Sequence, residues 1–81
     1  IRILLFGRLR DLAGAGELAI PAPVASLSTL RLALAELKPE LGVALAEPSI
    51  RVAVDRSFVN ENDADLRGAS EIAFMPPMSG G

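Results

Sequence analysis

Six prolines limit how long any element of this chain can run. Proline has no backbone N–H and its ring clashes with the preceding helical turn, so it halts helices and is kept out of central strands. Pro21 with Pro23, then Pro39, Pro48 and the pair Pro76-Pro77 divide the sequence into short pieces. Residues Arg2 to Phe6 are rich in bulky apolar types and read as a strand, which Gly7 ends. Arg8 to Ala13, with Leu9 and Leu12 three apart, reads as one short helical turn. Gly14-Ala15-Gly16 is loop-like, and Glu17 to Ile20 is a second short strand closed by Pro21. A hairpin from Arg2 to Ile20 with a long irregular connection is expected.

Ser26 is a good N-cap. After it, Leu27, Leu30, Leu34 and Leu37 recur on one helical stripe, until Pro39 forces a stop near Lys38. Glu40 to Glu47 reads as a second short helical turn. Ile50, Val52 and Val54 alternate with Arg51 and Ala53 as a half-buried strand. Asp55-Arg56 is a turn, Phe58-Val59 a very short strand, and Glu71 to Met75 the last strand. Between them, Asn60 to Asp65 is a polar loop with Leu66 as its one apolar anchor. The order is β-β-α-β-(β)-β, with no βαβα repetition. A mixed sheet with one main helix packed across it satisfies this order, an α+β fold of the β-grasp, or ubiquitin-like, type. The expected division is a domain over residues 1–75 and a flexible tail over 76–81.

Strand alternation assigns faces. Ile3 with Leu5, Ile50 with Val52 and Val54, and Ile72 with Phe74 should meet the helix. Leu4, Phe6, Ala53, Ala73 and Met75 then fall on the other face, and they are apolar too. A sheet covered on one side should be polar on the other, so an apolar outer face implies either a partner or a wrong assignment of faces. Phe6, Phe58 and Met75 are the candidate partner-binding residues, although the phase of Phe58, beyond a turn, is open. Arg8 and Arg10 lie beside this face.

With 81 residues the chain makes one small domain, and a hydrophobic fraction of 51% excludes disorder. The absence of Cys and His removes disulfides, thiolate metal sites, most zinc sites and the Ser-His and Cys-His nucleophile pairs. A net charge of −2, with no basic run, attracts no nucleic acid. No apolar stretch reaches the ~18 residues of a membrane span. Arg2, Arg8, Arg10 and Asp11 interrupt any signal-peptide pattern, and the lack of Cys suits the cytoplasm. The run Asn60-Glu61-Asn62-Asp63-Ala64-Asp65 lacks the glycine and the distal Glu of a calcium loop, so no metal is expected. Gly7, Gly14 and Gly16 fit no phosphate-loop spacing.

Chemistry concentrates at the end, Phe74-Met75-Pro76-Pro77-Met78-Ser79-Gly80-Gly81. No charged side chain follows Glu71. Two prolines stiffen the exit from the last strand. Glycines then suit a narrow channel that admits backbone without a Cβ. The tail-insertion candidates are Pro76, Pro77, Met78, Ser79 and Gly80, with the reacting group at Gly81.

These residues resemble the family of molybdopterin synthase small subunits, which are ubiquitin-like sulfur carriers. The resemblance covers essentially the whole length. Ile3-Leu4-Leu5-Phe6-Gly7 followed by Arg8-Leu9-Arg10-Asp11-Leu12 is similar to the family's first strand and Arg-rich turn. Ser26-Leu27 with Leu30 and Leu34 resembles its helix start. The most specific match is Phe74-x-Pro76-Pro77-x-Ser79-Gly80-Gly81. Asp55 departs from a segment that often ends Val-Asn, and Ala69-Ser70 depart from a turn usually reading Gly-Asp-Glu. The resemblance implies that an E1-like adenylating enzyme uses ATP to activate the Gly81 carboxylate, which then becomes a thiocarboxylate. It also implies that the large subunit of molybdopterin synthase receives the tail and that no cofactor binds to this chain. A protein modifier forming an isopeptide bond through Gly81, a thiamine-pathway sulfur carrier and a plain β-grasp binding module are the other roles open to such a chain.

Overall fold

The computed structural model describes residues 1–21, 24–59 and 65–76. Along the chain run β1 (Arg2–Leu5), α1 (Arg8–Ala13), β2 (Glu17–Ala19), α2 (Leu27–Leu37), α3 (Pro39–Leu45), β3 (Arg51–Val54), β4 (Ser57–Phe58) and β5 (Glu71–Met75). Helix α2 starts where the Ser26 hydroxyl accepts a hydrogen bond from the Thr29 amide at 3.2 Å, as its cap role requires. Pro39 stops α2 and also opens α3, because a first-turn proline lacks only an N–H that would have no partner inside the helix. In the connection between β1 and β2, the helical turn expected over Arg8 to Ala13 is helix α1.

The five strands are ordered β2-β1-β5-β3-β4. The first and last strands, β1 and β5, lie side by side and parallel at the centre, and the other pairings are antiparallel. Leu27, Leu30 and Leu34 of α2 and Leu41 and Leu45 of α3 share one core with Ile3, Leu5, Val52, Ile72 and Phe74. The inward assignment of these strand residues therefore holds. Leu66 is fully buried and anchors the chain as it returns to β5. This is the expected β-grasp layout, with three helices among the described residues in place of one helix and two turns. Among the described residues, no helix is long and apolar enough to cross a membrane.

Leu37 departs from the expected stripe, being 57% exposed. At 3.6 residues per turn it lies about 80° round the axis from Leu27, the far edge of the stripe. The chain also reverses there into α3, whose Leu41 and Leu45 fill the adjacent core.

The β3–β4 turn explains one departure in the sequence. Asp55 and Arg56 have φ of 48° and 73°, the geometry of a two-residue hairpin turn with both residues left-handed. Asn and Asp tolerate that conformation better than most residues. The Asp55 carboxylate also accepts the amides of Ser70 and Glu71, both at 3.0 Å. Asp thus keeps the backbone and acceptor properties that an Asn offers here.

Candidate functional site

The outer face of the sheet is built in rows by strand register. Leu4 pairs with Ala73, Ala73 with Ala53, and Ala53 with Phe58. These four side chains lie in one row, which settles the phase of Phe58: it faces outward. One step nearer the end of β5, Met75 pairs with Arg51, and Phe6 continues the alternation of β1 beyond Leu5. Phe6 is 46% and Phe58 57% exposed, while Met75 is half-buried. Ala53 and Ala73 are buried yet belong to no part of the core cluster, so they form the floor beneath larger outer side chains.

The outer face is not apolar throughout. Where β1 and β5 begin, Arg2 bridges Glu17 at 3.7 Å and Glu71 at 3.1 Å, and Arg56 reaches Glu71 at 3.9 Å. The apolar residues gather where the same strands end. Parallel pairing of β1 with β5 makes this polarity possible, because it brings Phe6 and Met75 to the same edge. Arg51 was not foreseen. Its guanidinium lies over the Phe58 ring, 4.1 Å from the centroid. The sequence signal was the spacing of residues 51 and 58 across a two-residue turn, which makes them diagonal neighbours on one face.

Pro76 leaves β5 at this edge. A Cβ built on Gly7 would stand 2.9 Å from the Pro76 Cγ, so the bare backbone of Gly7 seats the proline ring. Gly7 has φ 58° and ψ −135°, a combination open to glycine. Pro77, Met78, Ser79, Gly80 and Gly81 lie outside the described residues, as does the loop over 60–64 with Asp63. Arg8, which the sequence places beside the apolar face, forms an ion pair with Glu47 beyond α3. Arg10 lies where a Cβ added to Gly16 would meet its side chain, with Nε at 3.5 Å. Asp65 accepts the amide, Nε and terminal nitrogen of Arg67, each at 3.0 Å. The side-chain hydrogen bond from Arg67, helped by its backbone amide, lowers the Asp65 carboxyl to about 2. Among the described residues, no group of His, Cys, Asp and Glu side chains could hold a metal ion.

A five-stranded β-grasp sheet with a bare apolar end beside the root of its C-terminal segment defines a ubiquitin-like protein. Its fold is shared with small archaeal modifier protein 1 of Haloferax volcanii (TM-score 0.79, 23% identity, 99% of this chain and 97% of that one). The same protein from Methanosarcina acetivorans gives a TM-score of 0.73 at 25% identity, over 99% and 94% of the two chains. The pattern of the ThiS family matches residues 3–81, and the chain belongs to that family. It is 30% identical to the molybdopterin synthase sulfur carrier subunit of Escherichia coli, over all of this chain and 99% of the relative. The subunit of that name from Caenorhabditis briggsae is 32% identical over 83 aligned residues, covering all of this chain and 96% of the relative.

Proposed function

We propose that this chain is the sulfur-carrying subunit of a molybdopterin synthase, working in the cytoplasm through a thiocarboxylate at Gly81. The observation that carries this reading is the exposed apolar edge of Phe6, Phe58 and Met75 beside Pro76, the residue from which the chain leads to Gly80-Gly81. It supports a division of labour in which the sheet docks and the tail delivers. A carboxylate is a poor electrophile because its leaving group is oxide. An E1-like adenylating enzyme would join the Gly81 carboxylate to ATP, forming an acyl-adenylate and releasing pyrophosphate. Hydrosulfide from a sulfur donor then attacks the acyl carbon, AMP leaves, and loss of a proton gives the thiocarboxylate. ATP belongs to that partner, and this chain binds no cofactor.

The thiocarboxylate is anionic and soft, and attacks carbon as a thiolate does. In the synthase the tail enters the large subunit, which supplies the catalytic side chains. The sulfur bonds to the pyranopterin precursor, and water cleaves the acyl–sulfur bond to restore the Gly81 carboxylate. The apolar edge docks the large subunit and, at another time, the adenylating enzyme, so the two complexes exclude each other.

Deletion of Gly81 tests this reading. The variant still ends in a glycine carboxylate, but one extended residue, about 3.3–3.6 Å, is lost. Reacting groups tolerate roughly 1 Å of misplacement before large rate losses. Incubated with the adenylating enzyme, ATP and a sulfur donor, it should form neither thiocarboxylate nor dithiolene product. Product at the normal rate would remove terminal chemistry from this protein. The modifier reading draws support from the structural likeness to the Methanosarcina acetivorans protein. The mass of the C-terminal peptide from the native source separates the two. One oxygen replaced by sulfur marks a carrier, and attachment to target lysines marks a modifier.

A further inference from the structure

On the outer face the charges of Arg2, Glu17, Glu71 and Arg56 are matched among themselves. Arg51 is the exception. It pairs with no carboxylate among the described residues, and its guanidinium rests on the Phe58 ring. Its register partner is Met75. The cation therefore stands between two of the side chains that the proposed docking would bury.

A partner that covers Phe58 and Met75 must also take this guanidinium out of water. A desolvated charge is strongly unfavourable unless it is paired and hydrogen-bonded. The aromatic face replaces only a small part of the lost hydration. The partner must then present an acceptor inside the pocket that takes Phe58. A net charge of −2, and the carboxylates Glu17 and Glu71 on the same face, disfavour a polyanion as that partner. We propose that Arg51 is a specificity-determining residue of the docking surface. It pairs with an Asp or Glu carboxylate set in an apolar pocket of the partner protein. The planar guanidinium accepts a carboxylate side-on through two hydrogen bonds. Stacking on Phe58 holds it in place beforehand, so less freedom is lost when the pair forms. The proposal rests on the docking reading above and adds the polarity of the partner's pocket.

The test measures the affinity of the full-length chain for the large subunit of molybdopterin synthase from the same source, at low and high sodium chloride. The variants are Phe58→Asp, Arg51→Leu and Lys38→Leu. Lys38 is exposed at the junction of α2 and α3, away from the outer face, and its substitution changes net charge by the same amount. Arg51→Leu keeps the edge apolar but strands the partner's carboxylate, so binding should weaken at least about tenfold and lose much of its salt dependence. Lys38→Leu should bind as the wild type does. Equal or tighter binding by Arg51→Leu, or an equal loss in Lys38→Leu, overturns the proposal while leaving docking through Phe58 intact. If the wild type does not bind, or Phe58→Asp binds normally, the docking reading falls and this inference with it. Circular dichroism melts of each variant identify any loss that comes from unfolding.

Discussion

Replacing Gly7 with alanine should destabilise the domain and disturb Pro76, the residue that follows β5. The φ of 58° and ψ of −135° lie where an L side chain meets its own backbone, at a cost of about 1–3 kcal/mol. The new Cβ would also stand 2.9 Å from Pro76 Cγ and 3.7 Å from Pro76 Cδ. Carbon atoms in ordinary contact are about 3.5–4.0 Å apart, so the ring or the end of β1 must shift by roughly 0.5–1 Å. A domain of this size holds roughly 4–12 kcal/mol in total, so the loss is a sizeable fraction of it. Urea denaturation should give a lower midpoint with an unchanged slope, and the Met75 amide resonance should move. Gly14→Ala is the control. Its φ of 76° is also positive, but nothing lies within 4 Å of the added Cβ. It should lose stability without moving Met75. A Gly7→Ala variant within about 0.5 kcal/mol of wild type, or an equal Met75 shift in Gly14→Ala, would refute the seating of Pro76 on Gly7.

Two leucines of the same helix should behave differently. Leu34 is fully buried, and Leu34→Ala should cost about 2–5 kcal/mol by calorimetry or urea titration, whereas Leu37→Ala should stay within about 0.5 kcal/mol. Equal losses would mean that α2 is rotated from its described position. The Asp65 carboxyl, titrated by NMR, should have its midpoint near 2, and Arg67→Ala should move it up toward the usual ~3.9. Because the folded value is the lower one, the stabilisation from this pair is present above the unfolded carboxylate range and fades as the pH falls through about 2. An unchanged midpoint in Arg67→Ala would show that another group lowers it.

Much of the fold was legible along the chain because its causes are local. A helix stop at Pro39, a cap at Ser26 and strand alternation at Ile3 to Leu5 each depend on sterics and hydrogen bonds within about four residues. Those same rules put Phe6 and Met75 on the face opposite the core. The terminal glycines stood out by their position after the Pro76-Pro77 apolar run. They fall outside the described residues, so their role rests on chemistry and on the deletion experiment.

Other features depended on which segments meet. Alternation says that Phe58 has a face but not which one, since a turn resets the phase. Only the pairing of Ala53 with Phe58 decides it. Arg51 reads in the sequence as an ordinary exposed strand charge, and it becomes the cation on the Phe58 ring through the register of β3 with β4. Leu37 fits the stripe by spacing, and it is left exposed because the chain turns back into α3. The meeting of Gly7 with Pro76 spans nearly the whole chain and follows from parallel pairing of the first and last strands. Short-range sterics act on each segment separately, so the strands, the main helix and the apolar faces could be read along the chain, whereas α1 and α3 read only as single turns. Burial is shared among segments far apart in the chain, so the register, the polarity of the outer face and the seat of Pro76 on Gly7 follow only from how those segments meet.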